Sequence, residues 1–211
     1  MGRRSLLKSL RKIIHNKEVN ETVLKRIKDF EEIGKSREKV FSELCFCILT
    51  ANYSAERGWK IQEECGEEFF KLDGHQLAER LRKLGYRYPN SRARYIVKAR
   101  SIYEDIWRTL ESGRDPSEIR RWIAENVPGL GFKEASHFLR NIGFKNLAIV
   151  DKHVLRVLYG YGLIRTMPQR LSKTMYLKIE KTLLKVAGEL GISPAELDLY
   201  LWYMDTGKIL K

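Results

Sequence analysis

The stretch that decides the fold runs Val127-Pro128-Gly129-Leu130-Gly131-Phe132-Lys133. An amphipathic helical pattern precedes it from Pro116 to Glu125, and another follows from Lys133 to Asn141. Helix, Pro-Gly-apolar-Gly hairpin and helix make a compact grip for a DNA backbone. The glycines Gly129 and Gly131 allow backbone angles that other residues avoid, and keep side chains from standing between amides and a phosphate. The second helix turns its free amides and positive dipole end toward that phosphate. Such a contact carries no sequence information and suits any duplex. A lone Pro-Gly pair would read as an ordinary turn. The whole pattern, between two helices on a strongly basic chain, points to DNA binding.

Outward from the hairpin the dominant period is helical. Segments 5–14, 20–33, 37–51, 54–64, 75–84, 91–111, 116–126, 132–142, 152–160, 172–190 and 194–205 carry apolar residues at three- and four-residue spacing. Ser36, Ser54, Asp115-Pro116, Asp151 and Ser193-Pro194 can each open a helix. Gly34, Gly85, Gly113, Gly143 and Gly191 follow the apolar stripes as stop signals. The segment 37–51 is apolar nearly all round, which predicts a central core helix. No strand alternation is convincing; Leu147 to Val150 is short and isolated. The pattern predicts an all-α protein with short loops, those around 85–91 and 143–151 being the candidate hinges.

Of the 211 residues, 43% are hydrophobic, enough for one substantial core or for two small lobes. Forty Lys and Arg stand against 27 Asp and Glu, a formal charge of +13. That surplus attracts polyanions, and by itself suits DNA, RNA, ribosomes or anionic lipid equally. No apolar run approaches the roughly 20 residues that span a bilayer, so no membrane partner is expected. The basic start MGRRSLLKSLRKI lacks the long apolar stretch and cleavage site of a signal peptide. An odd number of cysteines, Cys45, Cys47 and Cys65, argues for reduced thiols and a cytoplasmic setting. Cys45 and Cys47 are too close for a zinc-type pair, so the expectation is buried thiols in a helix and no catalytic metal.

With these motifs in view, the chain resembles the helix-hairpin-helix (HhH-GPD) DNA glycosylase superfamily. The shared pattern is LPGxGxK, an apolar stretch, then V-D-x-H. Here it reads Val127 to Lys133, then Ile149-Val150-Asp151-Lys152-His153. The likeness covers most of the chain and is nearest to the archaeal-type second subfamily of 8-oxoguanine DNA glycosylase/AP lyases. The ending Trp202 to Lys211 also looks like that subfamily. Two departures from other relatives matter. No cysteine follows Cys65, so the four-cysteine iron–sulfur loop of endonuclease III-like enzymes is missing, and Lys133 stands where monofunctional glycosylases have no lysine. The resemblance implies two helical lobes with the active-site cleft between them. One would span about 35–145 and hold the hairpin; the other would join 1–34 to 146–211. It also implies a nucleoid-associated enzyme acting as a monomer on double-stranded DNA containing 8-oxoguanine. No organic cofactor is implied, and a monovalent cation on the hairpin carbonyls would be as in relatives.

The resemblance puts Lys133 and Asp151 at the two catalytic positions. An amine attacking C1′ releases the base and leaves a Schiff base, from which β-elimination breaks the strand. The amine must be neutral to attack, whereas an ordinary lysine titrates near 10.4. Apolar walls from Phe132, Phe138 and Leu139, with positive charge from Lys152 or the helix terminus, would favour the neutral form. Asp151 would steady the positive charge growing on the sugar or relay protons, and can cap its helix as well.

The target base must also leave the stack. Asn52, after the core helix, matches a gap-filling position, with helix capping as the plain alternative. Arg92 and Arg94 resemble residues that contact the orphaned partner base, and phosphate contact would serve equally. For the flipped purine, Trp202 would stack on the ring, and Asp198 would accept from N1–H and the exocyclic amine. Their alternatives are buried core and a solvated helix face. The carboxylate of Lys211 would accept from N7–H, which 8-oxoguanine has and guanine lacks. His153 resembles a phosphate contact, and His137 would line the pocket; either suits a structural histidine too. The rival readings are a glycosylase for another oxidised base and a non-catalytic hairpin module that only holds duplexes.

Overall fold

Helix-forming stripes bounded by caps become helices along the whole chain. The computed structural model describes residues 2–210. Its helices are α1 (Arg3–Ile14), α2 (Lys17–Gly34), α3 (Arg37–Thr50), α4 (Ala55–Cys65), α5 (Glu68–Lys71), α6 (Gly74–Lys83), α7 (Pro89–Ser101), α8 (Tyr103–Leu110), α9 (Pro116–Asn126), α10 (Phe132–Asn141), α11 (Lys152–Gly160), α12 (Lys173–Leu190) and α13 (Pro194–Thr206). No strand forms among the described residues, so the fold class is all-α as expected. The chain divides into two compact units: Ile33–Ile142, and the segment up to Glu32 together with the segment from Gly143 onward.

The predicted caps explain most helix starts. Ser36, Ser54, Asp115, Asp151 and Ser193 each accept a backbone N–H from the first turn of α3, α4, α9, α11 and α13. Ser193 and Glu196 complete a capping box, and Pro194 presets the first helical angle. Gly191 ends α12 in the left-handed conformation.

In the Ile33–Ile142 unit, α3 is the central helix. Val40, Phe41, Leu44, Cys45, Phe46, Cys47, Ile48 and Leu49 are all fully buried, each large apolar side chain contributing about 1.5–3 kcal/mol. The α4, α7 and α10 helices pack around it. Cys45 and Cys65 are free, and burial pushes the Cys65 thiol up to about 12 and that of Cys45 up as well. In the other unit, α1 lays Leu6, Leu7 and Leu10 against α12 and α13, and α13 packs on α11.

Two readings need correction. The stripe over 91–111 is two helices, α7 and α8, parted at Ile102 (φ −112°, ψ 15°). No Gly or Pro marks the break. Packing imposes it: the Tyr103 ring meets Phe41 at 4.9 Å and its hydroxyl donates to the Arg37 carbonyl. The short helix α5 lies between the predicted stripes 54–64 and 75–84 and belongs to neither. Leu147–Val150 is buried extended chain without a strand partner. Its polar groups are met by side chains of α12. Ala148 N–H donates to Glu180 Oε1 (3.2 Å), Val150 N–H to the Tyr176 hydroxyl (3.3 Å), and that hydroxyl donates to the Ala148 carbonyl (2.9 Å).

Candidate active site

The hairpin begins where α9 runs out at Val127 and closes with Leu130 N–H donating to the Val127 carbonyl (3.3 Å). Val127 and Leu130 are buried and anchor it, whereas Gly129 and Gly131 are exposed. Gly129 has φ +87°, and a Cβ there would stand 2.6 Å from Cδ2 of Tyr95 on α7. Both the angle and the close approach demand glycine. Gly131 has an ordinary φ of −92°, and a Cβ there would meet only the end of the Glu134 side chain, Oε2 at 3.4 Å. Only the wish to keep a side chain off the surface remains as its reason. Gly131 is the N-cap of α10 and offers no side-chain acceptor, so the positive end of the α10 dipole lies next to the hairpin, with the Glu134 carboxylate folded back toward it. Among the described backbone hydrogen bonds outside the helices, the carbonyls of Pro128, Gly129 and Leu130 accept none.

Lys133 is the second residue of α10, and its side chain is 32% exposed. The surroundings differ from those expected. Its Nζ lies 3.3 Å from Glu134 Oε1, and that carboxylate is only 19% exposed. Phe138 and Leu139 lie in the core at 0% exposure rather than beside the amine. At about 100° per residue, five and six positions carry them to the far side of the helix from Lys133. Phe132 is half-buried under the Arg120 guanidinium, 4.8 Å from its ring. His137 packs edge-on against Phe46 (5.8 Å) in the same unit.

Asp151 opens α11 in the other unit. Its Oδ1 accepts from His153 N–H (2.9 Å) and Val154 N–H (2.8 Å). The buried segment before it and the buried Val154 and Leu155 after it fix this carboxylate at a helix N-terminus, where the dipole favours an anion. Next to it stands a group that the sequence did not reveal. His153 Nδ1 lies 2.6 Å from Asp205 Oδ2, and Arg156 donates to the same carboxylate (Nη2 to Oδ2, 2.7 Å). Burial raises the Asp205 carboxyl, but the hydrogen bonds from His153 and Arg156 outweigh it and hold it below the ordinary range. The His153 ring lies against Trp202, centroids 3.9 Å apart. These residues are 52 and 49 positions apart in sequence, so no local motif could signal them.

Trp202 and Asp198, the residues expected to recognise the base, lie one turn apart on α13. Trp202 is half-buried, and its indole N–H has no hydrogen-bond partner among the described residues. A buried donor left so costs about 1–3 kcal/mol unless a ligand meets it. Asp198 is 7% exposed, which excludes the solvated-face alternative. Lys211 lies outside the described residues.

Asn52 follows the end of α3 at φ +61°, the left-handed region, and alone among the described non-glycine residues. It is exposed, and its side chain caps no helix among the described residues. Arg92 Nη2 donates to the neighbouring Ala51 carbonyl (2.7 Å), so the fold joins Asn52 and Arg92 in one place. Arg94 separates from them. It lies in a groove between α6 and α7 with Arg82 and Lys98, because residues two apart on a helix face different ways. Glu134 is the further residue that sequence reading missed. Its signal was present: it stands three positions after Gly131, where a first-turn Glu belongs.

A family model described as 8-oxoguanine DNA glycosylase matches residues 23–192. The chain is similar to the 8-oxoguanine DNA glycosylase/AP lyase of Korarchaeum cryptofilum, 48% identical over 193 residues that cover 92% of each chain. It is similar to the solved structure of the Methanocaldococcus jannaschii 8-oxoguanine glycosylase/lyase in complex with 15mer DNA containing 8-oxoguanine. That match has a TM-score of 0.93 at 43% identity, covering 98% of this chain and 100% of that one. A second similar structure is the 8-oxoguanine DNA glycosylase of Thermotoga maritima, with a TM-score of 0.91 at 44% identity over 99% and 100% of the two chains.

Proposed function

The chain belongs to the 8-oxoguanine DNA glycosylase family, and from that membership we propose that it works through Lys133 as nucleophile and Asp151 as its electrostatic partner. The protein excises 8-oxoguanine from DNA and cleaves the strand as an AP lyase. One observation carries the residue assignment: the amine of Lys133 stands on the first turn of α10, immediately beyond a glycine-bearing hairpin at a helix N-terminus whose dipole suits a phosphate. A grip on the backbone thereby sets the distance from phosphate to nucleophile.

In this reading the duplex docks by its phosphates on the α10 terminus; the carbonyls of Pro128, Gly129 and Leu130 would hold a monovalent cation, which would supply positive charge opposite those phosphates. The lesion leaves the stack, and Asn52 enters the gap. The left-handed backbone at Asn52 is costly for any residue but glycine and least so for Asn, as suits a projecting tip. Arg92 steadies that tip, and Arg94 adds phosphate attraction. Trp202 offers the purine its free ring face, Asp198 accepts from the Watson–Crick edge, and the Lys211 carboxylate accepts from N7–H. His153, oriented by Asp205, turns its remaining ring nitrogen to a phosphate. Lys133 Nζ attacks C1′, the bond to the base breaks, and the anion of Asp151 steadies the positive sugar. The imine that follows allows β-elimination of the 3′ strand. The enzyme acts as a monomer in the cytoplasm, at the nucleoid, without an organic cofactor.

The test is a duplex panel carrying one 8-oxoguanine, one oxidised pyrimidine or undamaged guanine, with base release and strand scission followed separately. Release and scission confined to the 8-oxoguanine duplex are expected. Equal action on the pyrimidine lesion, or binding without release, would overturn the reading.

A further inference from the structure

Glu134, a mostly covered carboxylate beside the proposed nucleophile, has no part in the mechanism above. Lys133 needs to lose a proton before it can attack, and within its unit Glu134 is the described carboxylate in ion-pair range of the amine (Nζ to Oε1, 3.3 Å). The other carboxylate of the proposal is a poor candidate for that proton. Asp151 spends one oxygen on two amides, and its value lies in staying an anion. Glu134 is held differently. Its neighbours Ala135 and Ser136 are buried, so its place on the first turn of α10 is fixed, and its side chain is mostly covered.

The elements packed near this end of α10 bring other charged or titratable groups. Arg120 of α9 lies over Phe132 and donates to Ser136 (3.2 Å). Tyr95 of α7 packs under Gly129, with the Arg92 and Arg94 guanidinium groups 5.5 Å and 5.7 Å from its ring. His137 and Arg140 lie farther along α10 itself, and Glu43 of α3 accepts from Asn141 (2.6 Å). None of these is a carboxylate within ion-pair distance of Nζ.

We propose that Glu134 is a positioning residue that aims the Lys133 amine and takes its proton when DNA covers the pair. The inference rests on Lys133 being the nucleophile. In water a proton shared between lysine and glutamate stays on the amine by roughly six orders of magnitude. Covering the pair with a sugar and base removes the water that solvates both charges, and burial disfavours each charged form. The N–H bond of the ammonium breaks, an O–H bond forms on Oε1, and a neutral amine faces a neutral carboxylic acid. The amine lone pair is then free for C1′. No proton leaves the complex in this step, so the population of reactive amine does not follow bulk pH.

That property separates the proposal from a structural role. Single-turnover base release from an 8-oxoguanine duplex is measured from about pH 6 to pH 8. The parent enzyme is expected to change by less than about threefold across that range, because the proton moves within the pair. Glu134→Gln keeps the shape and a hydrogen-bond acceptor but must lose its ammonium proton to solvent. Its rate is expected to be lower at neutral pH and to climb about tenfold per pH unit. Glu134→Asp keeps a carboxylate and is expected to keep the shallow profile; a steep one there would count against the proposal. Circular dichroism matches the folded fractions. A Glu134→Gln profile parallel to the parent, or a parent rate that itself climbs tenfold per unit, overturns the proposal. Lys133→Gln distinguishes this from failure of the underlying reading. If that variant still forms a borohydride-trapped adduct, the nucleophile is misassigned, whatever Glu134 does.

Discussion

The start of α10 and the start of α11 each present a side chain of the proposed chemistry at a helix N-terminus, Lys133 within the first turn and Asp151 at the cap, and they hold it in opposite ways. Lys133 reaches out on four methylenes from an uncapped terminus, half-exposed and paired with its sequence neighbour. Asp151 is short, caps its own helix with two hydrogen bonds, and follows a buried segment pinned by Tyr176 and Glu180. The contrast matches the chemistry asked of each. A nucleophile must change charge and move through a bond-forming distance. A carboxylate that steadies a cationic sugar is worth most when it neither moves nor changes charge, since preorganised charge needs no reorganisation during the reaction.

The sharpest way to break this comparison is Asp151→Asn. Asparagine is as good an N-cap as aspartate, so stability should stay within about 0.5 kcal/mol of the parent. Base release should fall roughly 10²–10³-fold, because the negative charge is gone while the geometry stays. Single-turnover kinetics and a urea unfolding curve read the two effects separately. A large loss of stability with little loss of rate would make Asp151 a cap and nothing more.

A smaller effect is expected on the other side. Gly129→Ala forces a Cβ into a left-handed residue 2.6 Å from the Tyr95 ring. The cost should be about 1–3 kcal/mol, read by the same unfolding curve. Duplex affinity should drop for damaged and undamaged DNA alike, because the hairpin reads phosphate rather than sequence. A Gly131→Ala control should cost less stability, since its φ is ordinary and a Cβ there meets only the movable end of the Glu134 side chain, at 3.4 Å. If both substitutions behave alike, the hairpin is not the fixed element that the comparison requires.

What the sequence made legible follows the same division. The hairpin, the caps at Ser36, Asp115, Asp151 and Ser193, and the all-round apolar helix α3 were readable because each is a local pattern with a local physical cause. The α7–α8 break was not, because Tyr103 packing on Phe41 and Arg37 forces it from 62 and 66 residues away rather than through a breaker residue. The cluster of His153, Arg156, Asp205 and Trp202 was hidden for the same reason: α11 and α13 meet only in the folded unit. The apolar walls expected around Lys133 failed on helix geometry, since Phe138 and Leu139 turn into the core. Glu134, adjacent in sequence, was legible in principle. Sequence alone does not single it out, because a first-turn glutamate is ordinarily a dipole partner and nothing else.

The most direct test of the central claim is to trap the enzyme on an 8-oxoguanine duplex with borohydride, digest it, and locate the cross-linked peptide by mass spectrometry. A single adduct on Lys133, absent from Lys133→Gln, is the predicted result. An adduct on any other amine, or an undiminished yield from Lys133→Gln, would contradict the account.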